Sequence, residues 1–252
     1  MKRIFILFFA AIFIIYCSSC KANVDRNDYG DGMENDTENK TYLSDVTVII
    51  DAGHGGEDGG AVGKNGVLEK DINLSLSLML ESMLREKGYK TLMTRTEDIL
   101  LYDRNVNYQG HKKQLDLEAR LNIAEKTENA IFVSIHMNSF SQEKYKGLQV
   151  YYSTNSTSSK FLADEIQLNG KLLLDTSNNR VTKPSDKNIL LLDKITHPAV
   201  LVECGFLSNA SECEKLSSSS YQKEVANSIC ISIINYLGSD TSQKNENNAD
   251  PP

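Results

Sequence analysis

Four side chains in this sequence could together carry metal-assisted hydrolysis: His54, Glu69, His136 and Glu203. His54 lies in VTVIIDAGHGGEDGG (Val46–Gly60), where a β-branched apolar run stops at Asp51 and gives way to a glycine-rich loop. His136 stands at the end of a second apolar run, AIFVSI, and Glu203 at the end of a third, PAVLVE. Glu69, in LEKD, opens a stretch with helical spacing. Two imidazoles and one carboxylate fit a catalytic zinc (Zn2+) with three protein ligands and a position left open for water. A second carboxylate beside that centre, Glu203, would act as general base, taking a proton from the water and passing it to a leaving nitrogen. Amide hydrolysis is the reaction class that follows. Each residue also has a plainer explanation. Histidines after strands are often hydrogen-bonded surface residues, Glu69 could be an acidic helix-start residue, and Glu203 could be buried against an arginine, since burying it alone is costly. No single spacing is diagnostic; the signal is the convergence.

The elements that must bring these residues together read as an α/β fold. Short apolar runs bounded by turn residues suit strands buried on both faces of a parallel sheet. Ile72 to Glu86 has helical spacing and ends at Gly88, and Tyr89–Thr94 follows as a second strand, giving a βαβ opening. Beyond an irregular polar insertion from Glu97 to Gln114, helical spacing returns from Leu115 to Lys126. The strand at Ala130–Ile135 precedes a more exposed one at Leu148–Tyr152. The segments Ser158–Leu174 and Ser219–Leu237 read as helices, and Asn188–Leu192 as a short strand. The expected fold is one domain with a twisted, mostly parallel central sheet flanked by helices. Ligand sites in such sheets lie outside the carboxyl ends of the strands, where His54, His136 and Glu203 fall.

Composition narrows the setting. The 252 residues are 40% hydrophobic, enough for a sizeable core, and the net charge of −7 gives no footprint for nucleic acid. Lys2 and Arg3 precede an apolar stretch, Ile4 to Tyr16, that reads as an export signal or a short membrane anchor. Cys20, after Ser18 and Ser19, resembles a lipidation site, although Cys17 stands where that pattern prefers leucine. The expected layout is a signal or anchor at 1–20, a flexible linker at 21–44, a catalytic domain at 45–238 and a disordered tail at 239–252. Cys204, Cys213 and Cys230 make no disulfide framework and are expected as buried free thiols.

Together, DAGHGGEDGGA, LEKDINL, MTR (Met93–Arg95), LEARLNIA (Leu117–Ala124), SIHMNS and VECGFLSN resemble the zinc-dependent N-acetylmuramoyl-L-alanine amidases of bacterial cell walls. The resemblance runs from about Val46 to Leu237, with the motifs in the family's order, and is closest to the germination-specific amidases of spore formers. It implies zinc bound by His54, Glu69 and His136, with Glu203 as the catalytic glutamate. It also implies cleavage between N-acetylmuramic acid and the L-alanine of the stem peptide. In spores, that cleavage would expose muramic acid for conversion to muramic-δ-lactam in the cortex. Glycan strands and stem peptides of peptidoglycan would be the binding partners, at the outer face of the membrane or in the forespore intermembrane space.

Two features bear on control. The stretch after Asn138 leaves no room for the zinc-blocking helix of some relatives, so control is expected from expression, location or a regulatory partner protein. No cell-wall-binding repeat is read in the sequence, so substrate affinity is expected from the groove itself or from a partner. Asn138, Arg95 and Arg120 are candidates for substrate contact, with structural ion pairs the plainer reading of both arginines. Asp51 and Asp58 are candidates to orient the imidazoles, whereas His111 and His197 read as bystanders. Two other functions compete: a zinc exopeptidase, which would need more acidic ligands, and a catalytically weak peptidoglycan-binding module, which would be expected to lack a ligand or the base. A phosphate-binding loop at GHGGEDGG lacks the lysine and serine such loops use.

Overall fold

The structure is a computed structural model that describes residues 42–247, apart from 104, 106–109 and 187–188. The expected export segment, Cys20 and most of the linker lie outside the described residues. Six strands form one sheet: β1 (Thr47–Ala52), β2 (Lys90–Met93), β3 (Ala130–Asn138), β4 (Gln149–Tyr152), β5 (Lys183–Pro184) and β6 (Ala199–Phe206). Their order is β2-β1-β3-β6-β4-β5. The strands β2, β1, β3 and β6 run parallel, and β4 pairs antiparallel with β6.

Alternation along the strands divides the core in two. Val48 and Ile50 of β1, Ile131, Val133 and Ile135 of β3, and Val200, Val202 and Cys204 of β6 face one cluster. That cluster is closed by α1 (Glu69–Glu86), α3 (Ser158–Leu173) and α6 (Ser219–Asn247). Ile49, Phe132, Ala199 and Leu201 face the other cluster, under α2 (Lys112–Lys126) and α4 (Leu190–Lys194). By the same parity Asp51, Ser134, His136 and Glu203 belong to the α2–α4 face of the sheet. Cys204, Cys213 and Cys230 are buried free thiols.

The start and stop of α1 follow local rules. Glu69 and Asp71 occupy its first turn, where the helix dipole favours negative charge. At the other end Gly88, with φ 82°, lets its own N–H reach Arg85 O and the Tyr89 N–H reach Leu84 O, closing the last turn.

Three expectations need correction. The strand expected at Asn188–Leu192 is not found among its described residues: Leu190–Lys194 is helical, with Leu191 and Leu192 buried in the second cluster. A short leucine run does not distinguish strand from helix by period, and packing decides. The last helix does not stop at Leu237 before a disordered tail; its backbone stays helical through Gly238 to Asn247. Finally, α5 (Ala210–Leu216) had no counterpart in the sequence reading. Its signal was present in Asn209, whose side chain caps the helix by accepting from the Glu212 N–H at 3.1 Å. Between Asn138 and Gln149 the chain makes only bends and turns, with no helix.

Candidate metal centre

Three elements deliver the polar side chains to one edge. His54 follows β1, His136 lies near the end of β3, and Glu69 is the first residue of α1. Glu69 Oε1 stands 3.3 Å from His54 Nε2 and 3.0 Å from His136 Nδ1. The two imidazole rings meet edge to face, with centroids 5.0 Å apart. One ligand atom from each of the three residues lies within 4.8 Å of the others, so the group could hold a metal ion.

Glycines make this convergence possible. A Cβ at Gly53 would fall 2.3 Å from His136 Cε1 and Nε2, so the imidazole occupies space that any other residue would fill. A Cβ at Gly60 would meet Glu69 Oε2 at 2.5 Å and His54 Cδ2 at 2.8 Å. The carboxylate is fixed as well. Its Oε2 accepts the Ala61 N–H at 2.7 Å, and its Oε1 accepts the Met137 N–H at 3.0 Å.

Charge in the cluster is strongly coupled. Burial alone would raise Glu69, but hydrogen bonds and charge from His136 and His54 hold it well below the usual carboxylate range. Burial likewise works against a charged His54, yet the carboxylates of Asp58 and Glu69 raise its pKa to about 9. Asp58 Oδ2 lies 2.9 Å from His54 Nδ1, close enough for its charge to act on the ring. A metal ion would therefore have to displace a proton from His54.

Glu203 completes the edge. It is the register partner of His136 across the β3–β6 pair. Its Oε2 is withdrawn from solvent and has no hydrogen-bond partner among the described residues. Burial pushes its pKa up to about 7, with the charge on His136 acting in the opposite direction. Beside these groups a cleft opens, lined by His54, Asp58 and His136 together with Leu117, Leu190 and Leu201.

The other sequence candidates fall in different places. Asn138 is half-buried, two residues past His136 and across an irregularity in the strand pairing. Arg120 and Arg95, candidates for substrate contact with structural ion pairs as the plainer reading, are both buried, which favours the structural role over substrate contact. All five guanidinium N–H groups of Arg120 are engaged, by Asp51, Asp116 and the carbonyls of Ala52 and His54. Arg95 donates to the carbonyls of Ala52, Gly53, Lys70 and Glu97. Asp51 orients no imidazole; it accepts from Arg120, Thr94 and Ser134. His111 precedes the first residue of α2 without a capping side-chain hydrogen bond, and His197 lies in the bend before β6. Asp116 was missed, although its spacing to Arg120 and Ala124 placed all three on one face of α2.

Comparison with known proteins places the chain in a family. The family of N-acetylmuramoyl-L-alanine amidase matches residues 48–235. The germination-specific N-acetylmuramoyl-L-alanine amidase of Bacillus subtilis (strain 168) is 34% identical over 199 residues, covering 77% of this chain and 81% of that protein. Among solved structures, the CwlD amidase from Clostridioides difficile, in complex with the GerS lipoprotein, matches with a TM-score of 0.73 and 41% identity. That match covers 77% of this chain and 99% of the solved one. The catalytic domain of CwlV, an amidase from Bacillus (Paenibacillus) polymyxa var. colistinus, matches with a TM-score of 0.64 and 31% identity, covering 77% of this chain and 98% of that one.

Proposed function

The chain belongs to the N-acetylmuramoyl-L-alanine amidase family, and from that premise we propose a zinc-dependent mechanism with Glu203 as general base. His54, Glu69 and His136 would hold the ion. The donor set fits zinc: two imidazoles and a carboxylate leave a position open, whereas magnesium and calcium favour all-oxygen sites. When bound, zinc supplies Lewis-acid polarisation of the scissile carbonyl and makes water more acidic.

The protein groups do the rest. The Asp58 carboxylate lies beside His54 Nδ1 and acts on the ring through its charge. Glu203 takes a proton from the attacking water as the water oxygen bonds to the lactyl carbonyl carbon of the N-acetylmuramoyl group. It then gives that proton to the alanine nitrogen as the C–N bond breaks. The products are a muramic acid carboxylate and a stem peptide with a free amino terminus. The observation that carries this reading is the unpartnered, solvent-withdrawn Oε2 of Glu203 beside the imidazole of its register partner. A base needs a pKa near working pH, and about 7 satisfies that before any ion binds. Glu203→Gln should keep zinc and lose hydrolysis by on the order of 10²–10⁴-fold. Retention of most activity would refute the assignment of the base.

A spore-cortex role is part of the proposal, supported by the similarity to the germination-specific amidase. So is a lipoprotein partner, supported by the solved CwlD amidase, which is in complex with one. Export is proposed from the Lys2-Arg3 and Ile4–Tyr16 pattern. Among the described residues no helix is long and apolar enough to cross a membrane. Asn138 remains a proposed substrate contact at the rim.

A further inference from the structure

The turn that carries His54 is gripped by buried cations. His54 itself has φ 62°, in the left-handed region, a conformation that a side-chain-bearing residue keeps only where its surroundings hold it there. The carbonyls of Ala52, Gly53 and His54, successive along the turn, are all taken up by two guanidinium groups. Arg120 Nη1 donates to Ala52 O at 2.8 Å and Nη2 to His54 O at 2.7 Å. Arg95 Nε donates to Ala52 O at 2.8 Å and Nη2 to Gly53 O at 3.0 Å.

Arg120 is in turn held from two sides. Its Nε donates to Asp116 Oδ2 at 2.8 Å, one turn earlier on α2, and Nη1 donates to Asp51 Oδ1 at 2.5 Å. Asp51 accepts from Thr94 Oγ1 at 2.8 Å and from Ser134 Oγ at 2.6 Å. One buried carboxylate thereby ties β1 to the end of β2 and to β3. Such a network is a poor source of stability, because desolvation offsets much of the attraction. What it supplies is geometry.

We propose that Arg120 is a positioning residue for the metal centre: through the carbonyls of Ala52 and His54 it holds the left-handed turn that sets the His54 imidazole against Glu69 and His136. The proposal rests on His54 being a ligand. The planar fork of arginine is required, since one ammonium group has too few donors, and the wrong geometry, for two carboxylates and two carbonyls.

The test uses the purified full chain, with zinc affinity measured by competition against a chelating dye. Thermal unfolding of the metal-free protein is followed in parallel. Arg120→Lys should unfold cooperatively and bind zinc about 10–100-fold more weakly. Leu162→Ala, a cavity variant in the core under α3, should lose stability while binding zinc as the parent does. Asp116→Asn removes one anchor of Arg120 and should weaken zinc binding in the same direction but less, and it decides the matter if Arg120→Lys does not fold. Parent-like zinc affinity in folded Arg120→Lys would overturn the proposal, as would parent-like affinity in Asp116→Asn. So would a loss in Leu162→Ala equal to that in Arg120→Lys. A parent chain that takes up no zinc would instead overturn the ligand reading, and the proposal with it.

Discussion

His136 and Glu203 are register partners on the adjacent parallel strands β3 and β6. In-register neighbours on parallel strands project to the same face, and neighbouring strands lie about 4.8 Å apart. The sheet itself therefore sets the proposed base beside a proposed ligand imidazole, with no loop in between. Glu69 reaches the same point from the first turn of α1, although that helix packs on the opposite face of the sheet. The site straddles the sheet edge.

Burial of the Glu203 carboxyl makes the stability of the metal-free protein depend on pH. Its folded pKa is raised from 4.5 to about 7. A raised pKa means that the stability contributed by the neutral form is fully present below pH 4.5 and is lost as pH rises through 7. Glu203→Gln, which cannot ionise, should therefore unfold at a higher temperature than the parent at pH 8. The expected gain is on the order of 3 kcal/mol, and it should shrink by more than half at pH 5.5. Saturating zinc should reduce or reverse it, because a nearby cation favours the carboxylate. A gain independent of pH would contradict the assignment of the burial effect to Glu203.

Gly53 is the sharpest steric test of the metal centre. Its backbone is not in the left-handed region, so Gly53→Ala is conformationally permitted, and the clash falls on the imidazole of His136. The variant should fold with a far-ultraviolet spectrum like the parent's. It should lose on the order of 10²-fold in hydrolysis, the scale expected for a displacement of about 1 Å at a reacting centre. Activity equal to the parent's would mean that the ring position seen here is not the working one.

Most of the edge was legible in the sequence because buried parallel strands announce themselves. VTVII, AIFVSI and PAVLVE are nearly continuous apolar runs, so a polar residue at or just past their ends stands out. The glycine-rich loop after β1 was equally visible, although its steric purpose at Gly53 and Gly60 was not. A guanidinium in a sequence gives no sign of whether it faces water or five internal acceptors, and Arg95 and Arg120 proved buried. A partial signal existed. Asp116, Arg120 and Ala124 recur at four-residue spacing on α2, and all three are buried. The helix α4 was misread because three consecutive leucines carry no period, and only their packing between α2 and the sheet separates helix from strand.

The most direct test of the central claim is product analysis by mass spectrometry. The purified chain, stripped of metal by a chelator, would be added to spore-cortex and to vegetative peptidoglycan, with and without restored zinc. The expected result is release of stem peptides bearing free L-alanine amino termini only when zinc is restored, and no release by His136→Ala in either condition. Release that persists without metal, or cuts confined to bonds between sugars or between amino acids, would contradict it.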